Sequence, residues 1–162
     1  MRSGNGEAAP PTVRFYQAVP GVDRFRLIAT LAAKAIERGL RAVVVVADLE
    51  QARLLDAFLW RFPDDGFLPH GLADEPDPER QPLLIATAPG DSNAATVLIA
   101  AADRPIADPG RFDLIIDFAV TSADPDQAGN LASRQRYGHY RQLGCRMEYW
   151  VQKPAGGWEK RS

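Results

Sequence analysis

The chain alternates between two hydrophobic rhythms. RAVVVVA (41–47) is an unbroken β-branched run, the mark of a strand covered on both faces. PLLIAT (82–87), TVLIAA (96–101) and FDLIIDF (112–118) read the same way, and TVRFYQA (12–18) reads as a first strand ended by Pro20-Gly21. Between them the period changes to helical. Phe25, Leu27, Ile28, Leu31, Ala32, Ala35 and Ile36 recur at helix spacing within 22–38, and Gly39 supplies a stop. Asp48 can cap a second helix, LEQARLLDAFLWRF, that closes at Pro63. A third helix is expected from about Pro125 to Leu143, stopped by Gly144, before the last strand CRMEYWVQ (145–152).

GFLPHGLADEPDPERQP (66–82) reads as loop, with its acids Asp74, Glu75, Asp77 and Glu79 solvated among prolines. Residues 1–11, rich in small residues, Gly and Pro, read as a disordered extension, and 153–162 as a C-terminal tail. Strands alternating with helices imply one α/β domain over 12–152, a three-layer α/β/α arrangement around a mainly parallel sheet.

Composition narrows the function classes. The chain has 162 residues, 46% hydrophobic and 25% charged, enough for one domain with a real core. A formal net charge of −2 argues against a general nucleic-acid binder. Cys145, the single cysteine, opens a buried strand and reads as an inert core thiol. The start MRSGNGEAAPPT has no apolar segment of signal-peptide type, and no apolar run is long enough to span a bilayer. A cytoplasmic protein without membrane contact is expected.

Catalytic patterns are missing. LIIDF (114–118) ends near an acid that could hold Mg²⁺, but no G-x-x-x-x-G-K-[ST] loop accompanies it, so Asp117 reads as a loop or cap residue. No G-x-G-x-x-G follows the first strand, so a Rossmann-like topology would carry no nucleotide site. There is no G-x-S-x-G elbow, and His70 and His139, the only histidines, have no second ligand at metal spacing. The expectation is no enzyme, no cofactor and no metal.

Two segments stand out. SRQRYGHYRQLG (133–144) is basic and aromatic, with no acid between Asp126 and Glu148. At 100° per residue Asn130, Arg134, Tyr137, Gly138 and Arg141 share one helix face, while Arg136 points elsewhere and Tyr140 and Leu143 pack on the sheet. Two guanidinium forks beside an aromatic surface suit a small acidic ligand with an apolar group, and equally a solvated face or single-stranded nucleic acid. In LLDAFLWRFPDDGFLPH (54–70), Leu54, Leu55, Phe58 and Leu59 can face the core. Trp60, Phe62 and Phe67 crowd a turn, as interface anchors or as a local mini-core.

Together these segments resemble the chi subunit family of bacterial DNA polymerase III. LLDAFLWRFPDDGFLPHGLADE is similar to that family's LD-x-x-LW … F-x-PH-x-LA segment, and FDLIIDF followed by RQRYGHYRQLG to its strand and R-x-RY-x-x-YR-x-x-G helix. Phe15-Tyr16, the VVVVA and VLI strands and Tyr149-Trp150 extend the likeness over most of 12–152. The resemblance implies a non-catalytic accessory subunit with a fold like nucleotide-binding domains. It implies a link between the clamp-loader complex and single-stranded-DNA-binding protein, made by holding the acidic C-terminal tail of that protein, in support of DNA replication. The tail site would use Arg134, Tyr137, Gly138 and Arg141 with Ala119 and Val120. Arg134 would take carboxylates, and Tyr137 with Ala119 would border a pocket for a terminal Phe ring. Gly138 and Asn130 stand where family members can carry Lys. A second surface around Trp60, Phe67, Leu68 and His70 would take the psi subunit of the clamp loader or a helicase. Association with DNA would then be indirect; the alternative is direct single-stranded nucleic-acid binding through the Arg/Tyr helix.

Overall fold

The computed structural model describes residues 9–62, 68–120 and 128–161. The chain has a mixed α/β fold with three helices and a mainly parallel eight-stranded sheet among these residues. It divides into two compact units, Val22–Ala102 and the remainder.

In the Val22–Ala102 unit, helix α1 (Arg24–Glu37) starts on Asp23, whose side chain accepts from the Phe25 N–H. Strand β2 (Ala42–Val45) follows, then helix α2 (Leu49–Leu59), capped by Asp48 accepting from the Gln51 N–H. Strands β3 (His70–Leu72), β4 (Leu83–Ala86) and β5 (Val97–Ala100) complete it in the parallel order β3-β4-β2-β5. The β-branched and leucine runs of β2, β4 and β5 are buried, with Ile28, Leu55 and Leu59 from the helices packed into the same core. Leu54, expected in the core, is exposed at the surface of α2. The strand β3 was expected as loop. Three residues that include a His and a Gly carry no period, and only pairing with β4 makes them a strand. Its outer edge is blunted, because Glu75 accepts from the Leu72 N–H at 3.1 Å.

In the other unit, β1 (Thr12–Gln17) lies between β6 (Leu114–Phe118) and β7 (Arg146–Gln152), parallel to both. Helix α3 (Ala128–Gln142) crosses from β6 to β7. The expected tail instead turns back at Gly156 and Gly157, both at positive φ, and forms β8 (Trp158–Lys160) antiparallel to β7. A three-residue strand in a Gly- and Lys-rich segment is invisible to periodicity. It exists because Trp158 packs edge-on against Tyr16 at 4.9 Å. Among the described residues no helix is long and apolar enough to cross a membrane.

On one face of this hairpin the Arg14 Nε donates to Glu148 Oε1 at 2.9 Å, the Trp150 Nε1–H donates to the same oxygen at 3.0 Å, and Lys160 lies 3.8 Å away. Burial alone would raise the Glu148 carboxyl. The hydrogen bonds from Trp150 and Arg14 and the charges of Arg14 and Lys160 outweigh it and hold the group below its ordinary value. A depressed folded-state value means that the stabilisation is fully present above the unfolded-state value, about 4.3, and is lost as pH falls through the folded one. Glu148→Gln is therefore expected to flatten the acid limb of the stability profile, read as urea midpoints between about pH 3 and about pH 6.

Candidate functional site

The third helix sorts its residues by angle. Asn130, Ser133, Arg136 and Tyr140 form the buried face, Gly129 and Tyr137 border it half-buried, and Leu131, Arg134, Gln135 and Arg141 are exposed. Asn130 therefore does not join Arg134 and Arg141 at the surface as its helical angle implied. Leu143, expected on the sheet, is 52% exposed beyond the last turn, because the chain already leaves the helix at Gln142. Tyr140 is fully buried and its hydroxyl accepts from the Ile106 N–H at 2.8 Å. Burial pushes that hydroxyl far above its ordinary titration range.

What anchors this helix is a pair that period and composition did not reveal. Arg136 and Asp117 are 2% and 1% exposed, and the Arg136 Nε lies 3.3 and 3.1 Å from the two Asp117 oxygens. The guanidinium Nη2 donates to the Phe118 carbonyl at 3.1 Å, and Asp117 also accepts from the Phe118 N–H. Asp117 is thus neither a cap nor a metal-type acid. It neutralises a buried arginine and ties the middle of α3 to the end of β6. A strand-end acid and an arginine 19 residues on carry no local signal of pairing.

The residues after β6 lie against the start of the helix. The Ser133 hydroxyl donates to the Val120 carbonyl at 3.4 Å, and a Cβ on Gly129 would stand 3.0 Å from Val120 Cγ1, a tight approach that the Val120 side chain would have to relax. Ala119 donates its N–H to the Tyr16 carbonyl at 3.0 Å. Tyr137 rests on β1 and β7, 5.3 Å from Phe15 and 6.4 Å from Tyr149 between ring centroids. Around Gly138 a Cβ would meet nothing within 4 Å. The structure thus brings Arg134, Tyr137, Gly138 and Arg141 onto one flank of α3, with Val120 at its N-terminal end.

The tryptophan segment is arranged differently. Trp60, just past α2, is 62% exposed, and its ring lies 4.8 Å from the His70 ring at 60°. His70 is buried. Its Nδ1–H donates to the Leu68 carbonyl at 2.7 Å, a tautomer required because a carbonyl only accepts, and its Nε2 lies 3.1 Å from Asp56 Oδ1. Leu68 is buried too, so neither it nor His70 presents a side chain to a partner as the sequence reading expected; His70 backs the Trp60 ring. Phe67 lies outside the described residues. Phe58 packs between Phe25, tilted at 59°, and Phe62, stacked at 20°, both at 6.0 Å, so two of the aromatics in this segment belong to a local apolar cluster.

Comparison with known proteins decides the family. Residues 11–148 match the family described as DNA polymerase III chi subunit, HolC. The chain belongs to the chi family. The DNA polymerase III subunit chi of Escherichia coli (strain K12) is 31% identical over 120 residues, 74% of this chain and 79% of that protein. The subunit of the same name from Pseudomonas aeruginosa is 30% identical over 138 residues, 82% and 90% of the two chains. A probable subunit chi of Rickettsia prowazekii (strain Madrid E) is 30% identical over 74 residues, which span 46% of this chain and only 45% of the relative. Chi is an accessory subunit of DNA polymerase III, so membership places this chain with DNA replication. The matched stretch takes in both the Trp60 surface and the α3 flank.

Proposed function

We propose that this chain is a non-catalytic adaptor of the DNA polymerase III holoenzyme, and that its α3 flank holds the acidic C-terminal tail of single-stranded-DNA-binding protein. The observation that carries the reading is the exposed pair Arg134 and Arg141 beside half-buried Tyr137, in a segment without acids on a chain of net charge −2. Guanidinium forks take carboxylates bidentately and the tyrosine offers an apolar wall, so the tail's acids and its terminal Phe both find partners. Ala119 and Val120 border the same end of the helix. The second surface, with Trp60 as its exposed anchor, would take the psi subunit of the clamp loader or a helicase, linking that assembly to the tail. DNA is then reached through the partner, and the negative chain charge counts against direct binding.

A labelled acidic peptide ending in Asp-Ile-Pro-Phe, followed by anisotropy, tests the reading. Saturable binding near micromolar, about −8 kcal/mol, is expected, weakened about tenfold or more by Arg134→Ala and further by added salt. Failure of the unaltered protein to bind at low salt would sink the tail reading.

A further inference from the structure

The helix α3 does not cover the whole of its sheet face. Phe15 points at α3, touching Tyr137 and Tyr140, and the register pairs Val13 with Met147, Phe15 with Tyr149 and Gln17 with Val151. By strand alternation Met147, Tyr149 and Val151 therefore share the face of α3. Val13 and Phe15 beneath the helix are buried completely, whereas all three β7 residues stay half-buried. An apolar row thus runs beside the helix, left partly open.

The cations line up along this row. A helix that joins two parallel strands runs antiparallel to them, and Tyr137 stands level with Tyr149. At ~1.5 Å per helical residue and ~3.3 Å per strand residue, Arg141 comes level with Met147 and Arg134 falls between Tyr149 and Val151. The opposite rim is formed by the C-terminal segment. The ladder of β7 and β8 continues past Lys160, the Arg161 N–H donating to the Tyr149 carbonyl at 2.8 Å, so Arg161 sits directly across from Tyr149. Glu159 sits across from Val151, and its 3.9 Å contact with Arg161 joins two groups that are both more than half exposed. Among the described residues the rims of the seam carry Arg134, Arg141 and Arg161, with Glu159 as their acid.

From this placement we infer that the seam between α3 and the β7–β8 hairpin is a peptide channel, in which apolar side chains of the acidic tail lie on Met147, Tyr149 and Val151 and its carboxylates pair with Arg141, Arg134 and Arg161. The inference rests on the tail-binding reading and adds its floor and its far rim. The occupant follows from charge and shape together. The positive rims call for an acidic ligand, and an apolar floor between them calls for one with hydrophobic side chains. Single-stranded nucleic acid would need flat rings to stack on. Tyr149 meets Tyr137 at 65° and its hydroxyl is fastened to Gln17 Oε1 at 2.6 Å, so its ring is wedged rather than presented.

The same anisotropy titration tests it with Met147→Glu, Arg161→Glu and, as reference, Lys160→Glu. Lys160 pairs with Trp150 in register and so lies on the other face of the hairpin. Weakening of about tenfold for Met147→Glu and about fivefold for Arg161→Glu is expected, with Lys160→Glu within about twofold. Arg161 is exposed at the end of the hairpin, so its variant keeps the test sound should Met147→Glu melt at a lower temperature. Unchanged peptide binding by both seam variants, while Arg134→Ala still loses it, would remove the channel and leave the tail reading standing. No binding by the unaltered protein would overturn both. Binding of labelled oligothymidylate in place of the peptide, weakened by the same two variants, would assign the seam to nucleic acid instead.

Discussion

Asp117→Ala is expected to cost the fold about 3–5 kcal/mol, the largest effect of any single change at the candidate site. Arg136 has almost no solvent contact, and Asp117 is the buried carboxylate that neutralises it. Its Nη1 has no hydrogen-bond partner among the described residues and lies 4.0 Å from Asp103, which is 73% exposed, so among those residues Asp117 is the one buried acid beside it. Removing Asp117 leaves a guanidinium desolvated and unpaired, against a whole stability of about 5–15 kcal/mol for a domain of this kind. Urea unfolding reads the loss directly. The double change Asp117→Leu with Arg136→Met removes both charges at similar volume and should recover most of it. A loss below about 1 kcal/mol in Asp117→Ala would show that the pair is solvated rather than structural. Because the pair holds the middle of α3 to the end of β6, the placement of Tyr137 against Tyr149 of β7 depends on it.

Trp60→Ala is expected to separate folding from partner binding. The ring is mostly exposed, so its loss should move unfolding by about 0.5 kcal/mol, while a tryptophan at the centre of an interface commonly carries about 2–4 kcal/mol, or thirtyfold and more in affinity. Calorimetric titration with the psi subunit is the measurement, under the adaptor reading. Leu68→Ala is the counterpart: it opens a cavity at a buried position and should lower stability by about 2–5 kcal/mol. Equal affinity of Trp60→Ala and the unaltered protein for psi would move that interface elsewhere on the chain.

Much was legible in the sequence. The unbroken apolar runs 42–45, 83–86 and 97–100 proved to be buried parallel strands, since a strand covered on both faces has nowhere to put a polar residue. The helix α2 begins at Asp48 as expected, where a side-chain oxygen can satisfy an otherwise orphaned N–H. The motifs around Trp60 and Arg134 identified the family before any coordinate did.

Short edge strands and the far ends of side chains were not legible. Both β3 and β8 are three residues long, below the length at which a period of two can be counted, and each is a strand only because a neighbour supplies the ladder. The helical wheel of 128–142 separated Arg136 from Arg134 and Arg141, but it could not say that Arg136 would be buried. That depended on Asp117 arriving from another strand, since a guanidinium enters a core only where an acid meets it. In the same way Leu68 and His70 were expected at the surface and lie inside, while Trp60, against the His70 ring, does face solvent. By itself the sequence determined the longer strands and the helices, and which family the chain belongs to, because those follow from local pattern. Only the tertiary structure decided which polar groups are buried and paired and which cations line an open seam, because pairing is a property of residues far apart in the chain.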